Sequence, residues 1–377
     1  MTDSAFIDWT EDGQPQRARW RSESGAAPPR RVVLADDQMP ADTAYRHASE
    51  GTGLLWRGDY QNARQLLQAI ARRIDKRPRK PWTETGRELF NRHRQAQSQR
   101  ARTLGMLLIG LQGDYGIGLR RAPDLRAACG EAYGPADGQP SVASLRELLG
   151  LVGAHEWRRK GVEIAELGAR IHPHYGVFSP VRGEYLQLVA RAPLPPGARE
   201  LAWDIGTGTG VLAALLARRG VARVVATDNS ARALACAREN LLALGCGDQV
   251  TLQSADLFPD GQAPLIVCNP PWLPARPTSP VEHAVYDPDS AMLRGYLAGL
   301  AARLAPQGEG WLILSDIAEH LGLRSRDALM QWIAAAGLRV AGKHDIAPRH
   351  GKAADAADPL HAARSRELTS LWRLAAA

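Results

Sequence analysis

From residue 199 to the end of the chain, short apolar runs alternate with segments whose apolar residues recur every three or four positions. That alternation predicts a parallel α/β sheet. The run 200–204 is a strand leading into Asp204-Ile205-Gly206-Thr207-Gly208-Thr209-Gly210, followed by a helix with Val211, Leu212, Leu215 and Leu216 on one face and Gly220 as its stop. Strand 222–227 ends at Asp228, Ser230 is placed to cap the next helix, and Gly245 stops it. Runs 250–253 and 265–268 are two more strands, each ending at a polar motif. Met292, Leu293, Tyr296, Leu297, Leu300 and Leu304 outline a helix ahead of strand 311–315. A helix bearing Ala328, Leu329, Trp332 and Ile333, stopped by Gly337, then precedes a closing hairpin of segments 338–345 and 367–373.

Upstream the pattern differs. The first fifty residues mix turn-formers with short alternating stretches and read as strand and loop, whereas from about Tyr60 the spacing of Ala63, Leu66, Leu67, Ile70 and Ala71 is helical. Further helices are expected over 141–151, with Ser141 as N-cap, and over 155–171. The expected division is a mainly helical N-terminal domain, residues 1–190, and an α/β domain, residues 191–377.

Composition narrows the class. A 377-residue chain has room for two domains, and 45% hydrophobic with 23% charged residues is a globular balance. No apolar run approaches the roughly 20 residues a membrane helix needs, so no membrane partner is expected. Met1-Thr2-Asp3-Ser4 does not resemble the start of a signal peptide, and the expected location is the cytoplasm. Cys129, Cys236, Cys246 and Cys268 lack metal-ligand spacing, which implies reduced thiols and no metal. The net charge of +7 is concentrated in residues 72–102, a segment able to attract RNA, the ribosome or an acidic protein, or to stand as a solvated helix face.

The chemistry lies at the strand ends. Glycines between a strand and a helix let the backbone approach a ligand closely; the dinucleotide fingerprint, however, requires a third glycine at position 211, where Val211 stands. Asp228, at the next strand end, can accept both ribose hydroxyls, and Asp256, at the one after, can receive an adenine amine, so the three ends outline an adenosine pocket. Asn269-Pro270-Pro271-Trp272 follows the fourth strand. Its prolines leave carbonyls free, the Asn269 oxygen and the Pro270 carbonyl can accept both hydrogens of a planar NH2 group, and Trp272 can stack on that group's plane. Lesser candidates are His172 and His174 as metal ligands or hairpin residues, and loop 348–364 (His350, Lys352, His361, Arg364) as a lid or a hairpin tip. Arg182 and Glu184 either orient substrate or pair with each other.

The motifs DIGTGTG (204–210), ATDNS (226–230), ACAREN (235–240), Asp256-Leu257-Phe258 and IVCNPPWLP (266–274) resemble, in order and spacing, the glutamine N5-methyltransferases of peptide-chain release factors, the HemK-like family. Tyr286-Asp287-Pro288 resembles that family's later acidic-proline element, and 176–188 a variant of the hairpin before its catalytic domain. The resemblance covers the C-terminal half. It implies the class I methyltransferase fold, a Rossmann-like, mostly parallel seven-stranded sheet closed by an antiparallel hairpin. It further implies S-adenosylmethionine as cofactor, bound through Asp204, Gly206, Thr207, Gly208, Gly210, Asp228, Asn229, Asp256, Leu257 and Asn269. Asn269, Pro270, Pro271 and Trp272 would hold the acceptor amide of a release-factor-like or ribosome-associated protein. Trp272 stands where the family has tyrosine, and the region ahead of the match is about twice as long as the family's helical domain. Two readings stay open beside this one. The first is N-methylation of an exocyclic base amine in ribosomal or transfer RNA, read through segment 72–102; the second is a cofactor-binding RNA or ribosome adaptor without catalysis.

Overall fold

The short apolar runs of both halves become the central strands of two separate sheets. The structure, a computed structural model, describes residues 5–76, 82–180, 183–277, 282, 284–348 and 355–377. The chain divides into one unit of Met1–Trp82 and Asn91–Glu156, and a second of Thr83–Phe90 and Trp157–Ala377.

In the first unit the elements run β1 (Phe6–Glu11), β2 (Gln14–Arg21), β3 (Arg31–Ala35), α1 (Ala41–Ser49), β4 (Thr52–Trp56), α2 (Tyr60–Lys76), α3 (Gly86–Leu104), β5 (Leu107–Leu111), α4 (Arg126–Tyr133), β6 (Ser141–Ser144) and α5 (Leu145–Lys160). The six strands form one sheet in the order β1-β2-β6-β5-β4-β3, in which β3, β4 and β5 are parallel. Every residue of β4 is buried, as a strand covered on both faces requires. This corrects the expectation of a mainly helical domain, because the helices surround a sheet. β4 and β5 are short apolar runs without polar alternation, so periodicity alone does not identify them. Ser141 is corrected as well: it lies in β6, paired with β2 and β5, and the Ser144 hydroxyl accepts the Glu147 amide at 3.0 Å instead.

The second unit takes in Thr83–Phe90 and, from Trp157, the rest of the segment expected as one helix over 155–171. α5 stops at Lys160, before Gly161 at φ +69°, and the chain turns into the hairpin β7 (Val162–Ile164) and β8 (Ala169–Ile171). Then come α6 (Glu184–Arg191), β9 (Leu201–Ile205), α7 (Val211–Arg218), β10 (Arg223–Asp228), α8 (Ala231–Ala243), β11 (Val250–Ser254), β12 (Ala263–Cys268), α9 (Ala291–Arg303), β13 (Leu304–Ser315), α10 (Ile317–His320), α11 (Arg326–Ala335), β14 (Leu338–Ile346), α12 (His361–Arg364) and β15 (Thr369–Ala376). The sheet order is β11-β10-β9-β12-β13-β15-β14; β9 to β13 are parallel, and β15 runs antiparallel to both its neighbours. This is the class I methyltransferase arrangement, with its closing hairpin.

Alternate strand residues face opposite helix layers. Ala202, Val224, Leu265, Val267 and Ile313 pack with α6 and α7, while Trp203, Ile205, Ile266, Leu312 and Leu314 pack with α9 and α11. Ile164, Ile171, Tyr185, Leu186 and Val189 share the first of these cores. The boundary at residue 190 therefore moves back to 156, since burial of these side chains ties 157–190 to the second unit. Leu300, fully buried on α9, lies where a Cβ on Gly310 would be 2.3 Å from its Cδ2. Leu300→Ala is expected to cost about 2–5 kcal/mol of stability, read as the midpoint shift in urea denaturation.

Candidate active site

Strand ends that are neighbours in a sheet bring distant sequence motifs together. β11, β10, β9 and β12 are consecutive in the sheet, so the segments after them share one edge. Gly206, Gly208 and Gly210 all have positive φ, at 72°, 55° and 81°, which glycine adopts without strain. Their surroundings differ. A Cβ on Gly206 would lie 2.7 Å from the Met292 methyl group and one on Gly210 would press on Ala237, whereas one on Gly208 would meet open space. The glycine loop is thus packed at both ends and open in the middle.

Asp204 is fully buried at the end of β9. Its Oδ2 accepts the Thr207 hydroxyl at 2.6 Å and the Ala213 amide at 3.1 Å, while Oδ1 has no partner. Burial pushes its pKa up from 3.8 to about 6, and the bonds from Thr207 and Ala213 offset only part of the shift. A carboxyl raised in this way favours folding most at low pH. The contribution is complete below about pH 4, is lost as the pH rises through about 6, and amounts to roughly 3 kcal/mol at most. Asp204→Asn is expected to abolish that loss in the ligand-free protein, and urea titrations of both proteins at either end of the window measure the difference.

Asp228 orders the next strand end, accepting the Gly208 amide on Oδ2 at 3.0 Å and the Ser230 amide on Oδ1 at 2.9 Å. The Ser230 hydroxyl in turn caps α8. The Thr227 hydroxyl donates to the Leu257 carbonyl at 2.6 Å, and this holds Leu257, with φ of 70°, and the exposed Asp256 beside Asp228 and the exposed Asn229. Asn240, 2% exposed, joins the Thr209 carbonyl at 3.0 Å to the His172 amide at 2.7 Å.

Asn269 leaves β12 immediately beside β9. The Trp272 indole N–H donates to its Oδ1 at 3.0 Å, which fixes which end of the amide is the acceptor and leaves the second Oδ1 lone pair unassigned. A tyrosine at position 272 would carry no N–H there. Tyr185, fully buried on α6, is the residue that sequence reasoning missed. Burial and the neighbouring Asp204 hold its hydroxyl protonated well above the ordinary range, and a hydrogen bond from Asn269 offsets part of that rise. It lies within the quoted segment 176–188, but nothing in the spacing singles it out. Pro270 is buried and Pro271 half-buried; Trp272 wedges against three apolar clusters. Beyond them, Asp287 accepts the Met292 and Leu293 amides at 3.0 and 3.1 Å and so starts α9, which carries Met292 to Gly206. The Asp287 amide donates to the Leu273 carbonyl at 2.8 Å, anchoring the segment after Trp272.

Other candidates fall away from this edge. His172 and His174 follow the hairpin strand β8: the His172 Nδ1 lies 2.6 Å from the Arg158 carbonyl and the His174 Nε2 lies 2.8 Å from Glu239. Among the described residues no group of ligating side chains could hold a metal, and no helix is long and apolar enough to cross a membrane. Arg182, His350 and Lys352 lie outside the described residues, as do 77–81 of the basic segment. His361 and Arg364 form α12, where Arg364 pairs with Asp358 at 2.7 Å. Within the basic segment, Arg73 pairs with Asp42, Arg100 with Asp75, and Arg87 donates to the Gly322 and Leu323 carbonyls. In the first unit the end of β4 is satisfied internally, because Arg120 and Arg121 occupy the Asp59 carboxylate at 2.9 and 2.7 Å.

Residues 169–316 match the family described as Methyltransferase small domain. The chain is 37% identical over 146 residues to the release factor glutamine methyltransferase of Cereibacter sphaeroides, a match that covers 37% of this chain and 49% of that protein. It is 33% identical over 121 residues to the ribosomal protein L11 methyltransferase of Symbiobacterium thermophilum, covering 32% of this chain and 39% of that one. The chain spans about half the length of the curated relatives it matches. A solved methyltransferase from Pyrococcus furiosus is 18% identical, with a TM-score of 0.40 over 59% of this chain and 96% of that one.

Proposed function

We propose that the methyltransferase domain carried by residues 169–316 moves a methyl group from S-adenosylmethionine to a planar NH2 nitrogen, the side-chain amide of a protein glutamine. One observation carries this reading: Asn269 stands at the end of β12 beside the glycine-loop strand, its acceptor oxygen oriented by the Trp272 indole.

The donor set fits this cofactor. Gly206, Thr207, Gly208 and Gly210 form a cradle open at Gly208, and the unpartnered, buried Oδ1 of Asp204 supplies the negative charge that a cationic ligand balances. Asp228 and Asn229 would take the ribose hydroxyls; Asp256 and Leu257 would meet the adenine edge. When bound, S-adenosylmethionine supplies an electrophilic methyl group on its sulfonium sulfur. The chain supplies position and electrostatics. The Asn269 oxygen and the Pro270 carbonyl accept the two amide hydrogens, Trp272 covers the amide plane, and these dipoles favour the positive charge that grows on nitrogen. No side chain has to remove a proton beforehand, since the proton leaves to water after transfer.

The named relatives direct the test toward a release factor. Incubation of the purified protein with a release factor and S-adenosylmethionine is expected to add one methyl mass to a peptide, and fragmentation to place it on a glutamine side chain. A methyl group found on any other residue type would end the glutamine reading. N-methylation of a base amine in RNA is the second reading, resting on the arginines of α2 and α3; the ties of Arg73, Arg87 and Arg100 within the protein count against it.

A further inference from the structure

Arg324 sits in the turn between α10 and Ser325, whose hydroxyl caps α11. It is only 6% exposed, yet its Nε and Nη2 meet no hydrogen-bond acceptor. Two carboxylates act on it electrostatically, Glu319 and Asp287, and both are engaged elsewhere. The Arg326 guanidinium takes the Glu319 oxygens at 2.8 and 3.0 Å, and the amides at the start of α9 take those of Asp287. Burial accordingly pushes the Arg324 pKa down, and Glu319 and Asp287 offset only part of that shift.

A buried guanidinium without acceptors is destabilising, so its presence beside the active site points to an acceptor that a ligand brings. Its surroundings identify the side of the site. Ile317 and Leu321 pack with Leu360, Ala363 and Phe90 in the apolar cluster that also meets Trp272, Leu273 and Tyr286, so this wall adjoins the acceptor motif and not the cofactor loop. His361 on the same wall has a buried Nδ1 without a partner.

We propose that Arg324 is a binding site for one carboxylate of the acceptor protein, an aspartate or glutamate side chain close in sequence to the methylated glutamine. The inference rests on the protein-glutamine reading and deepens it. Nε and Nη2 form the edge of a guanidinium that receives two carboxylate oxygens side by side. Asp287 and Glu319, the carboxylates that act on it, leave room for one compensating negative charge and disfavour a phosphate backbone, whose charges repeat.

The test uses heptapeptides with a central glutamine, one aspartate walked through the flanking positions, and asparagine counterparts. Both sets are measured for binding to the full chain and for methyl transfer. At one or two positions the aspartate peptide is expected to bind at least tenfold tighter than its counterpart. Arg324→Gln should erase that preference while leaving the asparagine peptides and S-adenosylmethionine bound as before, and Arg324→Lys should keep part of it. No preference at any position, or one that survives Arg324→Gln, overturns the proposal. So does an oligoribonucleotide that binds more tightly than every peptide and loses that advantage in Arg324→Gln. If the preference holds in binding but no glutamine is methylated, this site stands and the glutamine reading fails. Should Arg324→Gln not fold, Arg324→Met is measured in its place.

Discussion

Asn269→Ala is expected to slow methyl transfer by roughly 10² to 10³-fold, about 3–4 kcal/mol of transition-state stabilisation. The loss is that large because three features converge on this side chain. Its position at the end of β12 is set by a parallel pairing with β9, its Oδ1 receives the Trp272 indole N–H at 3.0 Å, and it interacts with the buried Tyr185 hydroxyl. An acceptor fixed before the reaction needs no reorganisation as charge develops, and alanine removes it without changing the backbone. Single-turnover transfer with saturating cofactor is the measurement. An unchanged rate would mean that the amide is held elsewhere.

Asp228→Ala is expected to weaken S-adenosylmethionine binding roughly 10- to 100-fold, since bonds to a charged group contribute about 1.5–3 kcal/mol. Two effects add here. The carboxylate orders the glycine loop through the Gly208 amide and the start of α8 through the Ser230 amide, and its proposed ribose contacts go with it. Calorimetric titration reads the dissociation constant. An unaltered constant would place the nucleoside away from β10.

The C-terminal sheet was legible because its parallel strands, buried on both faces, read as apolar runs punctuated by glycines and caps. The strand carrying Asp204, the cap at Ser230 and the closing hairpin stand where those signals put them. The N-terminal sheet was hidden because its strands are short apolar runs without polar alternation, as in Leu107-Leu108-Ile109, and because Ser141 stands ahead of Leu145, Leu148 and Leu149, whose spacing is helical. Within the site, motifs at strand ends could be read because chemistry and position coincide in one stretch of sequence. Tyr185 and Arg324 could not, since what distinguishes them is burial against groups that lie far away along the chain.

The most direct test of the central claim is transfer of labelled methyl from S-adenosylmethionine into a lysate of a strain lacking this protein, divided into RNase-treated and protease-treated halves before counting. Label that survives RNase and disappears with protease is the predicted result. Label that survives protease and disappears with RNase would contradict a protein acceptor and make a base amine of RNA the substrate.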